Sequence, residues 1–224
     1  MNLYFVLEGE QTEVKLYPQW IENILPNYSE VDFEHEADQN NYYIFSGGGI
    51  PSIYNHVVNA IKNINDNTIY DKLIVCLDGE EIGVDARLNE IKTFINNSGV
   101  SINDNCEIHF VVQNICIETW FLGNRKIVKK NPQGTKLQAF KKHFDVIKED
   151  PELMDEMERY RNKAHFHYSY FKEVLKERNL TYRKSRPDVV MEKTYLDQLK
   201  RRIQDTDHIP SFKKLYDLLI SIAE

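Results

Sequence analysis

Four short apolar runs constrain the fold most: Leu3–Leu7, Tyr42–Phe45, Leu73–Leu77 and Ile108–Val112. Each is too short for a buried helix, and none alternates polar with apolar residues as a half-buried strand does. Near-continuous runs of this length mark strands covered on both faces. Between them the period changes to that of a helix. Tyr17, Trp20, Ile21 and Ile24 form one stripe, with Thr12 as a plausible N-cap and Pro26 as a stop. Ile53, Val57, Ile61 and Ile64 form a second, with Pro51 near its first turn. Val84, Leu88, Ile91 and Ile95 form a third, with Gly99 just beyond. A weak further strand is expected at Glu30–Phe33. Strands alternating with helices over short loops predict an α/β fold: a parallel sheet with helices on both faces.

From about Thr119 the strand pattern stops. Asn131-Pro132-Gln133-Gly134 reads as a turn, and helical stretches follow near 136–149, 152–177, 191–204 and 211–223. Leu196, Leu199 and Ile203 make one stripe here, and Leu215, Leu218, Leu219 and Ile222 another. The expected organisation is an α/β domain over 1–125 and a basic helical extension over 126–224. A chain of 224 residues suits one domain with such an appendage.

Composition excludes several classes. Thirteen Tyr and eleven Phe are too many for a disordered chain. No run of 18 apolar residues is present, so no membrane span is expected. The first residues lack a basic segment and a small-residue cleavage site, so they do not read as a secretory signal. Cys76, Cys106 and Cys116 each sit in or beside an apolar stretch without a Cys-x-x-Cys pair, as buried thiols of a cytoplasmic protein would. Charge is divided: residues 1–118 carry 5 Lys and Arg against 19 Asp and Glu, a net of −14, and residues 119–224 carry 23 against 16, a net of +7. An acidic half suits cations and a basic half suits phosphates, although two solvated faces of opposite sign would give the same count.

Ligands of open parallel sheets bind beyond the carboxyl ends of the strands. There this sequence gathers carboxylates. Glu8-Gly9-Glu10 follows the first run, Asp78-Gly79-Glu80-Glu81 the third, and Glu118 comes shortly after the fourth. Glu8 and Asp78 stand out because each ends an apolar strand and precedes a glycine that lets a ligand approach the backbone. Converging carboxylates repel unless a cation neutralises them. Glu10, Glu13 and Glu81 read as surface or helix-start residues. Gly47-Gly48-Gly49, before a helix, is either a phosphate cradle of backbone N–H groups or a sharp strand-to-helix turn; it lacks the Lys-Ser/Thr of a P-loop.

These residues resemble a family. Phe5-Val6-Leu7-Glu8-Gly9-Glu10-Gln11-Thr12-Glu13 is similar to the opening motif of Toprim (topoisomerase–primase) domains, especially the compact OLD-type and RloB-type defence nucleases. Leu73–Glu80 resembles the family's second motif, a strand ending in Asp-x-Asp, with Glu80 in place of the second Asp. Asn114–Leu122 is similar to the Asn-Pro-x-Phe-Glu-x-Trp segment of RloB-type proteins; the Pro is missing and Glu118-x-Trp120 is kept. The resemblance covers residues 1–125 and implies metal-dependent attack on a phosphodiester. It implies Glu8 as general base or metal ligand, Asp78 and Glu80 as ligands of Mg²⁺ or Mn²⁺, and Glu118 as the completion of the acidic cluster. A nuclease in a prokaryotic antiviral defence system follows, with nucleic acid as substrate and a partner ATPase or a second copy as companion.

The basic half offers candidate nucleic-acid contacts at Lys129, Lys130, Arg183, Lys184, Lys200, Arg201 and Arg202, with Tyr182 and Tyr195 beside two clusters for stacking. His165 and His167 diverge on a helix and read as surface or stacking groups. Trp20 and Trp120 read as core. Two rivals to the nuclease stand: a non-catalytic effector or adaptor that binds a partner, and a small-nucleotide phosphotransferase or hydrolase using the triple-glycine loop.

Overall fold

The computed structural model describes residues 1–223. Five parallel strands, β1 (Leu3–Leu7), β2 (Ser29–Glu30), β3 (Asn41–Ser46), β4 (Lys72–Asp78) and β5 (Glu107–Gln113), form one sheet in the order β2-β3-β1-β4-β5. The four apolar runs are its four long strands. All of β1 and all of Leu73–Leu77 are buried, which is why these segments carry no polar alternation. The expected strand at Glu30–Phe33 is only the two-residue β2, because the chain turns into a short 3-10 segment at Glu34–Glu36.

Strand order fixes where a ligand would sit. β1 is followed in space by β3 on one side, and the chain then crosses back to lay β4 on the other. Leu7 lies opposite both Ser46 and Cys76. The order therefore reverses between β1 and β4, and the carboxyl ends of these two strands are the switch point of the sheet. Asn2, buried ahead of β1, ties the opposite end. Its side-chain amide donates to the Asp38 and Ile69 carbonyls at 2.8 and 3.0 Å and accepts from the Asn41 N–H at 3.0 Å.

Helices α1 (Glu13–Ile24), α2 (Ser52–Asn67) and α3 (Val84–Asn97) form where the stripes predict. Tyr17, Trp20 and Ile21, then Ile53, Val57, Ile61 and Ile64, then Ile91 and Ile95 are buried. Thr12 precedes α1 but makes no side-chain cap. Past β5 come α4 (Ile117–Phe121), α5 (Thr135–His143), α6 (Lys163–Lys176), α7 (Asp188–Met191), α8 (Lys193–Asp205) and α9 (Pro210–Ala223). Two expected helices are shorter than their apolar patterns. That at 136–149 stops at His143. That at 152–177 begins only at Lys163, where Asn162 accepts from the His165 N–H at 2.9 Å and caps it.

The chain packs as two compact units. One holds residues 1–77, 85–112 and the segment from Leu218; the other holds 78–84 and 113–217. Neither is one stretch of sequence, in contrast to the single cut near residue 125 that the sequence suggests. Among the described residues no helix is long and apolar enough to cross a membrane.

Candidate functional site

In the first unit, the loop after β1 presents Glu8, half-buried. Its N–H bonds to the Cys76 carbonyl at 3.0 Å, continuing the ladder one residue past the strand, and its own carbonyl accepts from Gly49 N–H at 3.1 Å. The backbone of Glu8 is thus held from both sides. A Cβ on Gly9 would lie 1.9 Å from the Glu13 carboxylate, so any other residue here would displace that side chain. Glu13 is not the surface residue expected from its place at a helix start. It is buried, its carboxylate resting on Gly9. A second residue that the sequence reading passed over is Arg87, buried between the apolar positions of α3. It donates to the Tyr54 hydroxyl at 3.0 Å and to Glu90 at 2.6 Å. Burial works against its charge, but the Tyr54 hydrogen bond and the Glu90 and Glu8 carboxylates outweigh that and hold its pKa above the ordinary value. Glu8 therefore has a buried cation in its field.

In the second unit, Asp78 is half-buried at the end of β4, and Gly79 is buried behind it with its N–H on the Gln113 carbonyl at 2.8 Å. Glu80 is exposed, at a positive φ of 44°. Glu118, on α4, is 1 % exposed. It accepts from the Tyr182 hydroxyl at 2.9 Å, and the Lys184 ammonium lies 4.0 Å away. Lys184 is carried there by a tight turn closed by the Arg186 N–H on the Arg183 carbonyl at 2.8 Å. Burial pushes the Cys116 thiol well up, and the Glu118 and Asp78 carboxylates add to that effect. Asp78 and Glu118 thus both act electrostatically on one buried sulfur. Among the described residues no three His, Cys, Asp or Glu side chains are grouped to hold a metal ion. The donors themselves are hard carboxylate oxygens. They suit Mg²⁺, which takes one or two carboxylates and completes its shell with water and phosphate.

The Asn114 and Trp120 positions of the third motif have structural roles. Trp120 Nε1 donates to the Ser211 hydroxyl at 2.6 Å, and so does the Asn114 N–H at 3.1 Å. Ser211 in turn donates to Glu152 at 2.6 Å. Burial raises the pKa of Glu152 from 4.5 to about 7, the Asp150 charge adding to the shift and the Ser211 hydrogen bonds opposing it. A raised acid pKa favours the folded state at low pH. The contribution is complete below about pH 4.5 and is lost as pH rises to about 7. In urea unfolding at pH 5 and pH 7.5, the stability difference between the native protein and Glu152→Gln should change by roughly 2–3 kcal/mol, Gln gaining at the higher pH. A difference that stays constant between the two pH values would show Glu152 ionised throughout.

Several expected contacts are corrected. Gly47 and Gly49 spend their N–H groups on the Leu7 and Glu8 carbonyls at 2.7 and 3.1 Å, and a Cβ on Gly48 would meet Glu10 Oε1 at 3.1 Å. Two donors of the supposed phosphate cradle are used and a carboxylate lies over the third glycine. The loop is the sharp turn into α2. Arg202 is 0 % exposed and no strand can touch it; its guanidinium serves the Val146 and Glu149 carbonyls and His208. Tyr182 and Tyr195 are buried, their hydroxyls on Glu118 and on the Phe121 carbonyl, so neither is a stacking platform. His167 is a core residue: Nε2 donates to the Met154 carbonyl at 2.9 Å, Nδ1 faces the Thr119 hydroxyl at 2.8 Å, and burial lowers its pKa to about 4. Lys130, Arg183, Lys184 and Arg201 are exposed, Lys129 pairs with Glu177 at 3.4 Å, and Lys200 with Asp197 at 3.5 Å. His165 is exposed, both tryptophans are core, and the three cysteines are buried and free.

No protein-family model, curated protein or solved structure matches the chain.

Proposed function

We propose that this chain is a metal-dependent nuclease that hydrolyses phosphodiester bonds in DNA or RNA. The observation that carries the reading is the strand order. β1 and β4 are parallel neighbours at the switch point of the sheet, and each runs at its carboxyl end into a carboxylate followed by glycine, Glu8-Gly9 and Asp78-Gly79. Glu118 and Asp78, which both act on the Cys116 thiol, support it.

On this reading Asp78 and Glu80 would hold Mg²⁺ or Mn²⁺, and Glu118 would complete the acidic cluster. When bound there, the cation would supply Lewis-acid polarisation of the phosphoryl group and charge stabilisation at the leaving oxygen. Glu8 accepts the proton of the attacking water, with the Arg87 cation in its field. The Tyr182 hydroxyl fixes the Glu118 carboxylate. Exposed Lys130, Arg183 and Lys184 attract the phosphate backbone. The resemblance to defence nucleases suggests an antiviral setting with a partner ATPase.

Mg²⁺ or Mn²⁺ should raise the thermal midpoint, since a ligand of the folded state alone stabilises it. Asp78→Asn should remove that rise. An equal rise in the variant would assign the metal to other residues. The second reading, a non-catalytic adaptor, draws on the burial of Glu118 beneath Tyr182. It predicts no cleavage of any nucleic acid even with the partner present.

A further inference from the structure

A cavity of about 560 Å³ lies within the second unit, with neither Asp78 nor Glu118 in its lining, and no role has been given to it above. Its size falls in the range of pockets for small organic ligands. Three cations line it: Lys126, Arg178 and Arg201. The Arg178 guanidinium is pinned by its bonds to the Ile127 and Lys126 carbonyls at 2.9 and 3.1 Å, which leaves the other terminal nitrogen for a ligand. The side chains of Lys126 and Arg201 have no ion pair or hydrogen bond among the described residues. The two carboxylates of the pocket are engaged: Asp197 with Lys200 at 3.5 Å, and Glu192 with the Thr194 hydroxyl at 3.3 Å. The remaining wall is apolar and partly open to solvent, formed by Ile127, Leu180 and Val189, with Leu180 40 % exposed. Gln198 adds an amide with no protein partner.

We infer that this pocket binds a nucleoside phosphate. Unpaired cations ask for an anion that can be bound by several N–H groups at once, as phosphate can. Phosphate alone would leave the apolar wall uncovered. A flat heterocycle covers it, and the Gln198 amide can hydrogen-bond the edge of that base. Ribose hydroxyls can donate to Glu192 Oε1 and Asp197 Oδ2, the carboxylate oxygens that Thr194 and Lys200 do not take. No sugar phosphate or inorganic anion uses all three surfaces. The inference does not depend on the acidic residues or on nuclease activity.

The test is calorimetric titration of the full chain with the four ribonucleoside diphosphates, in EDTA so that no metal-bridged binding contributes. At least one should bind at one per chain. Inorganic phosphate and the matching uncharged nucleoside should each bind at least tenfold more weakly. Arg201→Gln and Lys126→Gln, both at exposed positions, should each weaken binding about tenfold or more, while Lys214→Gln, outside the pocket, should leave it unchanged. Failure of all four diphosphates to bind overturns the proposal, as does undiminished binding by both pocket variants. Inorganic phosphate binding as tightly as the nucleotide would reduce the pocket to a plain anion site. Displacement of the nucleotide by a short oligonucleotide of higher affinity would make it a strand contact instead, and would equally overturn it.

Discussion

Glu8→Gln should lower metal-dependent cleavage of DNA or RNA by about two orders of magnitude or more, the range expected when a general base is lost. The substitution keeps size and hydrogen-bonding capacity and removes only the charge. The backbone N–H and carbonyl at this position bond to Cys76 and Gly49, and the substitution leaves both bonds in place. Affinity for nucleic acid should persist or tighten, because a negative charge facing phosphate has gone. Neutralising Lys130 and Arg183 should do the opposite: binding weakens and its salt dependence flattens, while the response to metal is retained. Cleavage that continues at the native rate in Glu8→Gln would remove Glu8 from the mechanism. Glu8→Gln also separates catalysis from contamination, since a co-purifying nuclease would not respond to it.

Arg202→Ala should cost about 3 kcal/mol or more of unfolding free energy and leave nucleic-acid affinity unchanged at temperatures where the variant is folded. The guanidinium donates to the Val146 and Glu149 carbonyls at 3.0 and 2.7 Å and faces His208 at 3.1 Å. Its removal strands two carbonyls and opens a void. Burial, together with the Arg125 charge, lowers its pKa to about 10 and the Asp150 carboxylate opposes that shift, so the position is a costly one for a cation. Lysine cannot reproduce the fork, so Arg202→Lys should recover only part of the loss. Urea unfolding reads the effect. A loss below about 1 kcal/mol, or a clear drop in affinity without loss of stability, would return Arg202 to the surface.

The sheet was legible in the sequence because its strands are covered on both faces and so show as uninterrupted apolar runs. The buried polar residues were not, because residue type was weighed ahead of position. Arg202 sits three residues from Leu199 and beside Ile203, on the buried stripe of α8, although the neighbouring Lys200 and Arg201 made it look like part of a basic surface run. His167 is three residues from Tyr170 and four from Phe171, on the buried face of α6. Arg87 is four residues from Ile91. In each case helical spacing carried the signal. For Tyr182, in a turn without periodicity, no such signal existed. Glu8 and Asp78 were singled out by where apolar runs end, and the topology makes those ends neighbours in the strand order. The spent N–H groups of Gly47 and Gly49 depend on backbone pairing, which residue types do not reveal.

The place of β1 in the middle of the sheet has a consequence for how the chain acquires its fold. The first strand of this sheet to be synthesised is flanked by two that come much later: Leu3 pairs with Tyr42 and with Lys72. A five-residue apolar segment must therefore wait for its partners 69 residues further along the chain before both its edges are satisfied. Pairings this distant in sequence carry a loop-closure cost before they return any stability, so the sheet forms late and as a unit. A chain stalled just after β3 carries β1 with one open, apolar edge, a template for association with other nascent chains. Assembly of this protein is thus gated by the arrival of β4, the strand that ends in Asp78.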